Sequence, residues 1–113
     1  MSDVSPLLSI VIPVYNEEES VGPLLSGLQP VLEQLGQAYE IICVDDGSRD
    51  RTYAVLRDLQ RLYPQLAIVK LAGNNGQTAA FDAGFKRARG ELIVTMDADL
   101  QNDPRDIPRL LDY

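Results

Sequence analysis

Four short polar segments hold most of the side chains in this sequence that could do chemistry: Pro13-Val14-Tyr15-Asn16-Glu17, Asp45-Asp46-Gly47-Ser48, Gly73-Asn74-Asn75-Gly76-Gln77 and Asp97-Ala98-Asp99-Leu100-Gln101. Histidine is absent and Cys43 is the single cysteine. The commonest general base and zinc ligand are therefore missing, and thiolate metal sites and internal disulfides are excluded. Any chemistry has to run on carboxylates, amides or a bound ion. Asp97 and Asp99 stand at a spacing that lets both side chains reach one point once the chain leaves the extended form. Hard oxygen donors with open coordination positions suit Mg²⁺ or Mn²⁺ carrying substrate phosphates. Such a cation would also offset the mutual repulsion of carboxylates gathered at one rim.

What gathers them is the order of elements. Four apolar runs recur, at 8–12, 41–44, 67–71 and 92–96. They are rich in β-branched residues and mostly non-alternating, the pattern of strands buried on both faces of a parallel sheet. Helical spacing fills the gaps. Val21, Leu24, Leu25, Leu28, Leu32 and Leu35 form one stripe, which Pro30 should kink or interrupt. Leu56, Leu59 and Tyr63 mark a second helix. The small residues of 79–85 mark a third that can pack closely on the sheet, with Gly90 as its C-cap. Asp103 as N-cap and Pro104 at the first helical position open a fourth.

Strict alternation of strand and helix predicts an α/β fold of three layers, α/β/α, with a mainly parallel sheet and right-handed crossovers, as one domain over residues 1–113. Ligands of such sheets bind beyond the carboxyl ends of the strands. Each of the four polar segments follows a strand, so all four share one edge.

Taken singly, each segment has a simpler explanation. Asn16 with Glu19 reads as a capping box, and Glu17 to Glu19 suit a helix N-terminus. Asp46-Gly47 is a common turn, Ser48 or Asp50 a common N-cap, and Asn74-Asn75-Gly76 a turn visiting positive φ. Cys43, in an apolar strand, belongs to the core. Convergence of four loops favours a site over four coincidences.

Rival motifs fail on the residues. An EF-hand loop begun at Asp97 would have Asn102 in place of its glycine and Pro108 in place of its last glutamate. A phosphoaccepting receiver domain needs its acid pair after the first strand, whereas here Asp45-Asp46 follows the second. A haloacid-dehalogenase-type phosphatase needs its Asp-x-Asp after the first strand as well. No Gly-Lys-Ser/Thr and no Gly-x-Gly-x-x-Gly is present.

The 113 residues carry 17 acidic against 10 basic side chains, a net charge of −7, which excludes a nucleic-acid binder held by clustered Lys and Arg. A 45% hydrophobic fraction with 24% charged residues fits an ordinary folded domain. The N-terminal residues lack a basic leader pattern and no apolar run approaches the roughly 18 residues of a membrane span, so the expected location is cytoplasmic.

In order and spacing, Val11-Ile12-Pro13-Val14-Tyr15-Asn16-Glu17-Glu18, Val44-Asp45-Asp46-Gly47-Ser48, Asn75-Gly76-Gln77 and Met96-Asp97-Ala98-Asp99-Leu100-Gln101 resemble the family 2 glycosyltransferases of GT-A fold. Within them they look most like the polyprenyl-phosphate sugar transferases, a group that includes the dolichyl-phosphate mannose synthases. The resemblance implies a Rossmann-like donor-binding half and a nucleotide-sugar donor, UDP- or GDP-linked. Pro13, Tyr15 and Glu17 would line the nucleoside pocket, with Asp45 or Asp46 accepting from base or ribose and the Ala98 backbone near the ribose. Asp97 and Asp99, the catalytic pair, would hold Mg²⁺ or Mn²⁺ with Gln101 beside it.

The implied acceptor is an undecaprenyl or dolichyl phosphate. Already an anion, it would need no general base to displace the nucleotide at the anomeric carbon, usually with inversion in this branch. Family members ordinarily carry acceptor-phosphate arginines and membrane-contacting helices in a second half, and act at the cytoplasmic face of the membrane. The stop at Tyr113, inside the fourth helix, reads as a cut piece whose open sheet edge could drive homo-oligomerisation. The competing expectation is a non-catalytic nucleotide-binding or scaffolding module that keeps only the donor half.

Overall fold

The computed structural model describes residues 8–98. Its elements are β1 (Leu8–Val14), α1 (Val21–Gln34), β2 (Tyr39–Asp45), α2 (Thr52–Gln60), β3 (Leu66–Lys70), α3 (Gln77–Arg87) and β4 (Leu92–Thr95). All strand pairings are parallel, in the order β3-β2-β1-β4. The chain builds outward from β1 to β3, then crosses back to place β4 on the other side of β1. The switch point therefore lies between β1 and β4. Asp99, Gln101 and the predicted fourth helix lie outside the described residues.

Side-chain alternation divides the core into two layers. Leu8, Ile10, Ile12 and Val14 of β1, with Ile41 and Cys43 of β2, face α1 and α2 and pack against Val21, Leu24, Leu25, Leu28, Leu32 and Leu56. Val11, Ile42 and Val44 face α3 and meet Ala80. Gly84 lets α3 lie close on the sheet, since a Cβ there would collide with the Val11 side chain. The small residues of the third helix thus have the packing role expected of them.

Three expectations are corrected. Burial on both faces holds for β1 and β2, whereas β3 and β4, at the sheet edges, are partly exposed, with Leu92 and Ile93 both open to solvent. Pro30 does not interrupt α1, which runs unbroken through it. The ring sits on the exposed face, so the carbonyl deprived of its partner can be hydrated. Gly90 does not cap α3, whose C-cap is Ala88. Gly90 instead lets the chain pass over β1, where a Cβ would stand 2.6 Å from Ser9 Oγ and 2.7 Å from Ser9 N.

That crossing is fastened by a buried acid at the amino ends of the strands, opposite the polar rim. Ser9 Oγ donates to Glu40 Oε2 (2.6 Å), Arg89 N donates to the same oxygen (2.7 Å), and Gly90 N donates to Ser9 Oγ (2.8 Å). Arg87 and Arg89 bring their guanidinium groups to 3.5 and 3.6 Å from Glu40 Oε1. Burial alone would raise the Glu40 pKa, but the Ser9 hydroxyl, the Arg89 N–H and the two positive charges outweigh it and hold the carboxyl below its ordinary 4.5. A depressed folded pKa adds stability above the ordinary value, and this is lost as pH falls through the folded one. Glu40→Gln should therefore melt lower at neutral pH and show a shallower loss of Tm below about pH 4.5 than the parent. Equal acid limbs in the two proteins would contradict this account.

Candidate functional site

At the carboxyl ends of the strands the loops are laced together by side chains that the sequence suggests as helix caps. Asn16 takes a left-handed backbone conformation (φ 53°), and its Oδ1 accepts from Arg49 N (2.8 Å) and Asp50 N (3.4 Å). Its own N–H donates to Ser48 Oγ (2.9 Å), and Glu17 N donates to Thr52 Oγ1 (2.8 Å). Asn16 therefore does not cap α1. The N-cap there is Ser20, which makes no side-chain cap bond. Neither Ser48 nor Asp50 is the N-cap of α2, which is Arg51. Asp50 works one position early, its carboxylate accepting from the Thr52 N–H and hydroxyl and from Glu18 N. The β1–α1 and β2–α2 loops thus form one rigid wall.

The two acids after β2 separate. Asp46 is 5% exposed and accepts from Asn75 N through Oδ1 (2.8 Å) and from Gly76 N through Oδ2 (2.9 Å), clamping the β3–α3 loop. Asp45 is 1% exposed, with Oδ1 accepting from Ser48 N (3.0 Å) and Oδ2 lacking a hydrogen-bond partner among the described residues. Gly47 allows the two loops to touch. Its φ is +75°, and a Cβ there would strike the Gly73 carbonyl.

Inside this frame, at the switch point, lies a cavity of about 310 Å³. Pro13, Tyr15, Glu17, Asp46, Asp97 and Ala98 line it, so six of the sequence-derived candidates meet in one place. Asp45 is not on its surface. Val14, Asn74, Gly76, Gln77 and Ala80 complete the lining. No specific role follows for these from sequence, although the Gly73–Gln77 loop belongs to the expected rim. Gln77, the first residue of α3, sends Nε2 to Asp97 Oδ1 at 3.3 Å. Among the described residues Glu17, Asp46 and Asp97 are the charged groups of this lining, and no Lys or Arg joins them. Among the described residues no three acids cluster tightly enough to enclose a metal by themselves. The Asp97 carboxylate, open to the cavity, is nonetheless a hard oxygen donor of the kind a divalent cation takes.

An open, doubly wound parallel sheet with its cavity at the switch point defines a nucleotide-type α/β architecture. Residues 9–113 match the model of glycosyl transferase family 2, and the chain belongs to that family. The chain is 50% identical over 107 residues to an undecaprenyl-phosphate 4-deoxy-4-formamido-L-arabinose transferase of Aeromonas hydrophila, covering 94% of this chain and 33% of that protein. It is 50% identical over 105 residues to a dodecaprenyl-phosphate galacturonate synthase of Rhizobium johnstonii, covering 92% and 31%. The chain thus spans about a third of the length of these relatives.

Among solved structures, the mannosyltransferase of Pyrobaculum calidifontis in complex with GDP-Man and Mn²⁺ superposes with a TM-score of 0.74 at 26% identity, over 92% of this chain and 32% of that one. The glucosyl-3-phosphoglycerate synthase of Mycobacterium tuberculosis, with Mn²⁺ and UDP, gives 0.74 at 21% identity over 95% and 39%, a likeness of fold. The fold is the Rossmann-like half of the GT-A glycosyltransferases. No helix among the described residues is long and apolar enough to cross a membrane.

Proposed function

We propose that this chain is the donor-binding part of a metal-dependent glycosyltransferase that moves a sugar from a UDP- or GDP-sugar to a polyprenyl phosphate at the cytoplasmic face of a membrane. The observation that carries the reading is the charge of the cavity. Among the described residues its lining holds three carboxylates and no basic group, so a nucleoside diphosphate would be repelled unless a divalent cation entered with it. A volume of about 310 Å³ lies within the range of small-ligand sites.

Pro13 and Tyr15 offer an apolar and aromatic wall to a base. Tyr15, 37% exposed, sits where a ring can stack. Glu17 and Asp46 provide acceptors on the same wall. Asp97 would hold Mg²⁺ or Mn²⁺ together with Asp99 and Gln101, with the Ala98 backbone beside the ribose. The cation supplies electrostatic stabilisation of the departing diphosphate. The names of the polyprenyl-phosphate relatives support the acceptor class, and an anionic acceptor oxygen suits a lining without histidine.

Calorimetric titration of the complete gene product with UDP and with GDP, each with and without Mn²⁺, tests this. Binding of one nucleotide that requires the ion is expected. Binding indifferent to the ion, or none at all, would overturn the reading.

A further inference from the structure

Gln77 reaches Asp97 from a different element, and nothing in the proposed chemistry requires it to do so. We propose that Gln77 is a positioning residue for Asp97: its amide holds one carboxylate oxygen so that the other is presented to the cation. The inference rests on the proposed metal-dependent donor site and assigns a determinant within it.

The geometry is specific. Gln77 Nε2 donates to Asp97 Oδ1 at 3.3 Å across the cavity mouth, leaving Oδ2 free of any hydrogen bond among the described residues. A bond of this length tightens readily when a ligand fixes the acid. An amide suits the task because it orients a carboxylate without neutralising it, so the full negative charge stays available to a cation. An ammonium in its place would compete with the ion. Partners of this kind typically govern metal affinity by fixing ligand orientation.

Gln77 can act this way only if its own backbone is fixed, and the preceding loop fixes it. The Asp46 carboxylate clamps Asn75 N and Gly76 N. Asn75 Nδ2 donates to Ala72 O (2.9 Å) and Gly73 O (3.1 Å), and Asn74 Oδ1 accepts from Gly76 N (3.2 Å). Gly76, at φ 92°, then turns directly into α3 as its N-cap. A continuous chain therefore runs from the buried Asp46, through a hydrogen-bonded loop, to the amide that holds Asp97. Base recognition at Asp46 and ion binding at Asp97 share this one loop.

The test uses Gln77→Met, which keeps the length of the side chain and removes its donor, and Gln77→Ala in the complete gene product. Mn²⁺ affinity in the presence of saturating UDP or GDP is read from the free-ion EPR signal, and nucleotide affinity at saturating Mn²⁺ by calorimetry. Both variants should bind Mn²⁺ about tenfold more weakly, with nucleotide affinity at saturating Mn²⁺ and Tm unchanged. In the Asp97→Asn background, Gln77→Met should cost nothing further.

Mn²⁺ affinity within about twofold of the parent in both variants would overturn the proposal. So would a loss of nucleotide affinity that persists at saturating Mn²⁺, which would make Gln77 a nucleotide contact instead. If the unmodified protein shows no ion-dependent nucleotide binding, the donor-site reading itself falls and takes this inference with it. A parent that binds Mn²⁺ and nucleotide together beside variants that do so equally well isolates the failure to Gln77.

Discussion

Asp97→Ala should abolish Mn²⁺-dependent nucleotide binding and lower sugar transfer by about 10²–10³-fold, the usual cost of removing one preorganised electrostatic partner from a reacting centre. The expectation follows from where the acid sits. It follows β4, whose register is set by pairing with β1 and extended by the Met96 N–H donating to Val11 O (3.1 Å). Ala98, 3% exposed, anchors the chain immediately after it.

Asp97 itself is only half-buried, so its removal should leave stability within about 0.5 kcal/mol of the parent. Asp97→Asn separates charge from shape, because an asparagine oxygen can still accept from Gln77 while the negative charge is gone. Both variants should fail to bind the ion–nucleotide pair while melting at the parental temperature. Retention of ion-dependent transfer in either would remove Asp97 from the metal site.

Asp46→Asn should be nearly as damaging, by a different route. Both oxygens of Asp46 accept backbone N–H groups, from Asn75 and Gly76. An asparagine supplies one acceptor and turns an NH₂ toward the other N–H, setting donor against donor. Charge-assisted bonds at such a buried site are worth about 1.5–3 kcal/mol each, so a loss of that order is expected in urea denaturation. The β3–α3 loop would lose its clamp, and nucleotide affinity should fall even at saturating Mn²⁺. Loss of stability together with affinity separates Asp46 from Asp97, whose variants melt at the parental temperature. An Asp46→Asn protein with parental stability and affinity would show that the clamp is dispensable.

Much of this was legible before any coordinates. Uninterrupted apolar runs mark the strands because parallel strands covered on both faces have no polar side to show, and β1 and β2 obey that rule. The edge strands β3 and β4 depart from it because the described residues cover them only in part. Pro13, Tyr15, Glu17, Asp46, Asp97 and Ala98 could be assembled from sequence because a parallel sheet sends every strand end to the same rim. Asp45 could not be told from Asp46, since two adjacent acids read alike until the fold gives one Ser48 N and the other Asn75 N and Gly76 N as partners.

The lacing by Asn16 was equally hidden. Its partners Arg49 and Asp50 lie more than thirty residues away, and capping motifs are local patterns. Glu40 gives no signal either, because an acid opening an apolar strand reads as solvated until the folded chain places Ser9 and Arg89 over it. Gln77 could have been suspected from its position just after the Gly76 turn.

The lone thiol of this protein sits in β2 at the middle of the sheet, 0% exposed, with burial pushing its pKa up to about 12. Such a sulfur is inert to alkylating reagents for as long as the sheet stays closed. Its modification rate therefore times the opening of the central strands, with no second cysteine in this sequence to compete and no introduced label. Changes that loosen only the rim would leave that clock unaltered, while those that part β1 from β2 would quicken it. The chain thus carries its own means of telling a damaged site from a damaged fold.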